Sequence, residues 1–320
     1  ILQAANEVIR NNRNRRPKNL WTQNEDGEEI VYYRANDEQD EAVFVAKTIE
    51  ELSREAGYKH RDFAVLYRTN AQSRTIEEAL LKSNIPYTMV GGTKFYSRKE
   101  IRDVIAYLNL IANPSDNISF ERIINEPKRG IGPGTVDKIR AFAQMQESSL
   151  LDASANIMLS GIKGKAAQAI WDFANLILDL RERLDQLTIT ELVEEVLDNT
   201  GYMTALTNQG NLESQARIEN IQEFLSVTKN FDENGETVDD ESGVETLSRF
   251  LNDLALIADT DDGAQETSEV TLMTLHAAKG LEFPVVFLIG MEENVFPLSR
   301  AAEDPDELEE ERRLAYVGIT

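Results

Sequence analysis

The sequence predicts an α/β domain built on a parallel sheet and interrupted by a mostly helical insertion. Three observations carry this. Residues 30–90 alternate short apolar runs with amphipathic stretches, the texture of strand–helix–strand units. Residues 97–259 keep helical apolar spacing and contain no convincing strand. From Val270 two strand-like runs, 270–275 and 285–289, restore the first texture.

Taken in order, residues 4–10 read as the end of a helix, 11–19 as a basic, Asn-rich connector and 30–34 as a short strand. Over 38–56, Ala42, Val45, Ala46, Ile49 and Leu52 recur with helical spacing. A buried strand is expected over 63–67, a helix including 76–81 after it, and a further strand over 87–90. Within the insertion, helices are expected over 101–112, 120–124, 135–146, 166–184, 191–198, 213–231 and 244–258. Gly201, Gly210 and Gly235 punctuate them, and 232–243 reads as a solvated loop. The run 285–289 is continuously apolar, as expected of a strand covered on both faces. Residues 308–317 form an amphipathic stretch.

Composition narrows the function classes. A chain of 320 residues has room for about two domains. No apolar run approaches the roughly 20 residues of a membrane span, and no signal peptide pattern opens the chain, so a cytoplasmic protein with no membrane partner is expected. The absence of cysteine excludes disulfides and thiolate metal sites. Two histidines, His60 and His276, leave little material for zinc, and no metal site is expected. A net charge of −24 would, if spread evenly, argue against nucleic acid. It is not even: residues 94–140 hold nine Lys/Arg against six Asp/Glu, whereas 232–269 hold thirteen acids and one base.

Four blocks carry chemistry. Thr274-Leu275-His276-Ala277-Ala278-Lys279-Gly280-Leu281-Glu282-Phe283 lies between two strands, where open α/β sheets bind ligands. Gly280 permits an unusual turn, Lys279 can meet phosphate and Glu282 can accept from sugar hydroxyls. A plain strand-to-helix turn with solvated Lys and Glu is the structural alternative. Arg68-Thr69-Asn70-Ala71-Gln72-Ser73-Arg74 follows a buried strand; Arg68 can pair with phosphate and Asn70 can bond a base edge, or Thr69 or Asn70 simply caps the next helix. Pro127-Lys128-Arg129-Gly130-Ile131-Gly132-Pro133-Gly134-Thr135 combines a Gly-Ile-Gly turn with a helix start near Thr135, and Lys128, Arg129, Lys138 and Arg140 add positive charge. It is similar to half of a helix-hairpin-helix, the alternative being an interhelical turn. Glu310-Glu311-Arg312-Arg313-Leu314-Ala315-Tyr316-Val317-Gly318-Ile319-Thr320 otherwise reads as a charged helix face.

These blocks resemble, nearly letter for letter, motifs of superfamily 1 DNA helicases of the PcrA/UvrD/Rep type, and the resemblance covers the whole chain. It implies a RecA-like second motor domain over 1–97 and 268–320, with an accessory domain inserted over 98–267. Gly91-Gly92-Thr93-Lys94-Phe95-Tyr96-Ser97-Arg98 also matches the family and marks the junction. The resemblance implies that Glu282, with Lys279 and Gly280, meets ATP. It places Arg68, Asn70, Thr274 and His276 on single-stranded DNA. Lys128, Arg129, Gly130, Gly132, Thr135 and Lys138 are placed on duplex at a duplex–single-strand junction.

The family's sixth motif continues, beyond Thr320, with an arginine that reaches the ATP γ-phosphate, so no catalytic residue is expected within 1–320. No Gly-x-x-x-x-Gly-Lys-Ser/Thr loop is present; Gly161-Ile162-Lys163-Gly164-Lys165-Ala166 has neither the spacing nor the hydroxyl. The chain opens with Ile1 and stops inside an amphipathic stretch, so it is expected to be cut at both ends and inactive alone. ATP and Mg²⁺ would then be held mainly by a preceding motor domain. The activity implied for the whole protein is ATP-dependent 3′–5′ unwinding in repair or replication, as a monomer, with repair proteins or RNA polymerase as partners by family analogy. Two other readings stay open: a non-catalytic DNA-binding module, and the motor part of a recombination nuclease–helicase.

Overall fold

The computed structural model describes residues 1–320 except 14–19, 24–26, 235–240, 260–267 and 303. Most of the basic connector, Gly235 and the centre of the loop expected over 232–243 lie outside the described residues. The chain divides into two compact units, Ile1–Phe95 with Asp261–Thr320, and Tyr96–Thr260.

The first unit begins with helices α1 (Leu2–Ile9) and α2 (Glu38–Glu55), strand β1 (Phe63–Tyr67), helix α3 (Ser73–Lys82) and strand β2 (Tyr87–Val90). The second unit supplies helices α4 (Lys99–Ala112), α5 (Asn117–Ile123), α6 (Pro133–Gln146), α7 (Leu150–Ala155), α8 (Gly164–Glu182), α9 (Ile189–Asn199), α10 (Tyr202–Gln209), α11 (Leu212–Asn234) and α12 (Gly243–Asp259). Strands β3 (Val270–Thr274) and β4 (Val285–Leu288) and helix α13 (Pro305–Ile319) complete the first.

The four strands form one parallel sheet in the order β2-β3-β1-β4. All five residues of β1 are buried. Its alternation divides them between two cores. Phe63, Val65 and Tyr67 pack with Ala42, Val45, Ala46 and Ile49 of α2 and with Ile76 and Leu80 of α3. Ala64 and Leu66 pack on the other face with Leu314 and Ala315 of α13, Val8 of α1 and Leu275. Full burial of each large side chain here contributes about 1.5–3 kcal/mol.

One sequence expectation needs correction. Residues 30–34 have no regular secondary structure and belong to no ladder, and Ile30, Val31 and Tyr32 are well exposed. Only Tyr33 is anchored, stacked on Phe44 of α2 and donating to Asp40 at 2.9 Å. Strand β4 pairs with β1 at the end of the sheet and is partly covered on both faces: Val285 and Phe287 pack against the α2/α3 core and Leu288 against the α13 core, while Val286 is exposed.

In the second unit α4 packs against α5, α8, α9, α11 and α12, which is why it is apolar almost all round. It also buries two carboxylates, both satisfied. Asp103 pairs with Lys99 and Arg122 at 2.8 Å each and accepts from Tyr202 Oη at 2.8 Å. Glu100 accepts from Asn220, whose Oδ1 accepts from Arg98 at 2.8 Å. Helices α7 and α10 were not anticipated. The first is too short for its periodicity to register, and the second is closed at both ends by left-handed glycines, Gly201 and Gly210, which read in sequence as loop.

Candidate functional site

The C-terminal ends of β1, β2 and β3 lie side by side, because Tyr67 pairs with Thr274 and Val90 with Met273. Three loops leave this edge, at 68–72, 91–95 and 275–284. It is the edge at which open parallel sheets receive ligands.

The first loop is organised by Gln72. Its Oε1 accepts from the backbone N–H of both Arg68 and Thr69 at 2.9 Å. The signal was present in the sequence as Thr69-x-x-Gln72, a capping-box spacing. Thr69, not Asn70, is therefore the N-cap, with Gln72 completing the box. Among the described residues the half-buried Asn70 side chain makes no hydrogen bond, and its Oδ1 would stand 3.2 Å from a Cβ placed on Gly92. Gly91 has φ +74°, and a Cβ placed there would meet Ala277 Cβ at 3.8 Å, an ordinary contact. The Gly91-Gly92 pair thus lets the second loop run close to both of its neighbours.

The third loop turns tightly after β3. Thr274 O accepts from Ala277 N at 2.9 Å and Ala278 N at 3.2 Å, and Leu281 N donates to Ala278 O at 3.0 Å. Leu275 and Ala278 are drawn into the core, so His276, Lys279, Gly280 and Glu282 are left exposed. Gly280 has φ +86°, which an L side chain adopts only with strain. Thr274 is half-buried. Helix α13 closes over this turn: a Cβ on Gly318 would stand 2.2 Å from Leu275 Cδ2, so only glycine allows that approach.

Arg68 is engaged. Its Nε donates to both oxygens of Glu311, at 2.9 and 3.0 Å, and its Nη2 donates to Oε1 at 2.8 Å. Glu311 also accepts from Leu298 N at 3.3 Å. The two side chains are 13% and 8% exposed. The histidine of the third loop senses the pair: partial burial holds the His276 pKa below its ordinary value, the Arg68 charge lowers it further, and Glu311 and Glu310 oppose both. Sequence reasoning placed Arg68 at a strand end and Glu311 in the fourth block, but gave no sign that the two pair.

The turn at 127–135 belongs to the second unit and forms a separate cluster. Asn125 Oδ1 accepts from Arg129 N at 2.8 Å and Ile131 N at 3.1 Å, and Ile131 is buried. Gly130, at φ +76°, and Gly132 and Gly134 face open space. Gly132 caps α6, Pro133 occupies its first turn, and Thr135 N donates back to Gly132 O at 2.9 Å. Lys128 and Lys138 are exposed and make no ion pair among the described residues. Arg140 is paired with Glu121 and Asp137.

Arg129 differs from its neighbour. It turns inward and donates to Ile123 O, Ile124 O and Pro127 O at 3.0, 3.1 and 3.3 Å and to Tyr107 Oη at 2.7 Å. Its guanidinium lies 5.0 Å from the centroid of the Phe173 ring. Its Nη1 and Nη2 thus tie the turn to the backbone after α5 and to Tyr107.

Residues 1–320 match the UvrD-like helicase C-terminal domain family. The chain belongs to that family. Its α/β unit is accordingly of the RecA-like type. It is 54% identical over 326 residues to an ATP-dependent DNA helicase PcrA of Bacillus subtilis, 53% over 321 to one of Leuconostoc citreum and 51% over 322 to one of Staphylococcus aureus. Each match covers 100% of this chain and 43% of the relative, so the chain spans less than half the length of these helicases. No helix among the described residues is long and apolar enough to cross a membrane.

Proposed function

We propose that this UvrD-like chain is the second motor domain of an ATP-dependent DNA helicase, with an accessory DNA-gripping domain inserted in it. The motor part is the sheet unit, with boundaries near 97 and 268. The observation that carries the reading is the shared edge of β1 and β3: side chains suited to a nucleic-acid strand, Arg68, Asn70, Thr274 and His276, stand on it, and Lys279 and Glu282 follow on the same short turn. One rigid turn then links a DNA contact to a nucleotide contact, which is what converting ATP binding into strand movement requires.

The open backbone at Gly280, the exposed Lys279 and the exposed Glu282 are a suitable donor and acceptor set for nucleotide phosphate and ribose hydroxyls. For Mg²⁺ the fit fails: no group of three His, Asp or Glu among the described residues could hold a metal, so its ligands are assigned to the rest of the protein and no step of this chain runs through it. A preceding motor domain would supply the phosphate cradle and close on this edge. The cleft's opening and closing would move the single strand 3′ to 5′. The 127–135 turn would grip duplex phosphates through the α6 N-terminus, Lys128 and Lys138, with Gly130, Gly132 and Thr135 shaping the approach. Arg129 belongs to the same proposed grip and also holds that turn in shape. A role in repair or replication, and recruitment by repair proteins or RNA polymerase, belong to the same reading.

ATP hydrolysis by the full-length protein tests it, measured with and without an oligonucleotide. Strong stimulation by single-stranded DNA is expected; hydrolysis indifferent to DNA would favour a docking module instead.

A further inference from the structure

The Arg68–Glu311 pair sits where a nucleic-acid strand is proposed to lie, and that placement has an energetic consequence. An arginine that meets a phosphate adds to affinity by releasing a counterion. Here the guanidinium is already neutralised by a carboxylate in bidentate geometry, with both groups shielded from water. A phosphate and Glu311 therefore compete for one cation.

Glu311 is well placed to lose that competition without leaving its seat. Its second anchor, Leu298 N, does not depend on Arg68. His276, on the turn after β3, is near enough that both charges of the pair act on it. The helix bearing Glu311 also carries Gly318, seated on Leu275 at the base of the 274–283 turn. Helix α13 thus joins Glu311 to the turn that carries Lys279 and Glu282 through one packed core.

We propose that Glu311 is a positioning residue that withholds Arg68 from nucleic acid until a phosphate displaces it, so that α13 registers whether a strand occupies the sheet edge. This rests on the nucleic-acid reading above. It assigns a role to a residue buried in α13 that touches neither ligand.

The test uses the full-length protein, a fluorescein-labelled oligodeoxythymidylate and a range of salt concentrations. Glu311→Gln keeps the shape and an acceptor for Leu298 N but removes the charge. It should tighten oligonucleotide binding at low salt roughly tenfold and steepen the log–log salt dependence by about 0.7, because binding no longer bares a carboxylate that takes up the counterion one single-strand phosphate releases. The oligonucleotide concentration giving half-maximal ATPase stimulation should fall in parallel. Glu311→Asp, which retains the carboxylate, should return the slope to the wild-type value. An unchanged slope in Glu311→Gln, or weaker binding, overturns the proposal. If the wild-type protein fails to bind the oligonucleotide at all, the nucleic-acid reading falls first and the proposal goes with it.

Discussion

Two adjacent basic residues of the 127–135 turn should behave in opposite ways. Arg129→Ala removes a guanidinium that serves three backbone carbonyls and the Tyr107 hydroxyl and lies over Phe173. A hydrogen bond from a charged donor is worth about 1.5–3 kcal/mol, and a carbonyl left buried without a partner costs about 1–3 kcal/mol. The cation over the ring adds about 1 kcal/mol. These contributions share one side chain and do not add, so the expected destabilisation of the helical unit is about 3–5 kcal/mol. Lys128 is exposed and unpaired among the described residues, so Lys128→Ala should change stability by less than about 0.5 kcal/mol. Urea denaturation reads the first effect. Junction-DNA affinity across a salt series reads the second: Lys128→Ala should flatten the log–log slope by about 0.9 and Arg129→Lys, which keeps the charge without the fork, should leave the slope alone while still losing stability. An Arg129→Lys variant as stable as wild type would refute the assignment.

Other perturbations follow from the sheet edge. His276 should titrate by NMR with a midpoint below that of an ordinary histidine, about 6.5; Glu311→Gln should lower it further and Arg68→Gln should raise it. A lowered folded pKa means the unfolded chain takes up this proton first. The residue's contribution to stability is therefore complete above about pH 6.5 and declines as pH falls from there to the folded midpoint; a midpoint at or above 6.5 contradicts the geometry. Glu282→Ala should weaken binding of a fluorescent ATP analogue by the full-length protein about ten- to a hundredfold, the loss of one charge-assisted hydrogen bond, and unchanged affinity would remove Glu282 from the nucleotide contacts. Gly280→Ala should cost about 1–2 kcal/mol through its φ of +86°, although space there is open, and thermal denaturation should show Gly280→Asn to be milder.

Much of the sheet unit was legible because its signals are local. The apolar run 63–67 and the run 87–90 are bounded by turn residues, and both appear as strands with those limits. The spacing of Ala42, Val45, Ala46 and Ile49 marks one buried face, and that face meets β1. Residues 30–34 have the same strand-like composition, but whether such a segment joins a sheet depends on a neighbouring backbone that composition does not report. The edge position of β4 depends likewise on sheet order, not on its own apolar residues. At the site, Arg68 and Glu311 are 243 residues apart, and no spacing rule connects them. Lys128 and Arg129 look equivalent in sequence; only the arrangement of α5, Tyr107 and Phe173 turns one inward and leaves the other in solvent.

The central claim proposed here is that the β1 and β3 loops form one half of an ATP-driven motor that acts on DNA. Strand displacement by the full-length protein tests it most directly, with ATP and two substrates that differ only in carrying a 3′ or a 5′ single-stranded tail. The account predicts unwinding of the 3′-tailed duplex, abolished by replacing Asn70 and His276 together with Ala while the protein stays folded. Equal unwinding by that double variant, or no ATP-dependent unwinding of the 3′-tailed duplex by the wild-type protein, would contradict it.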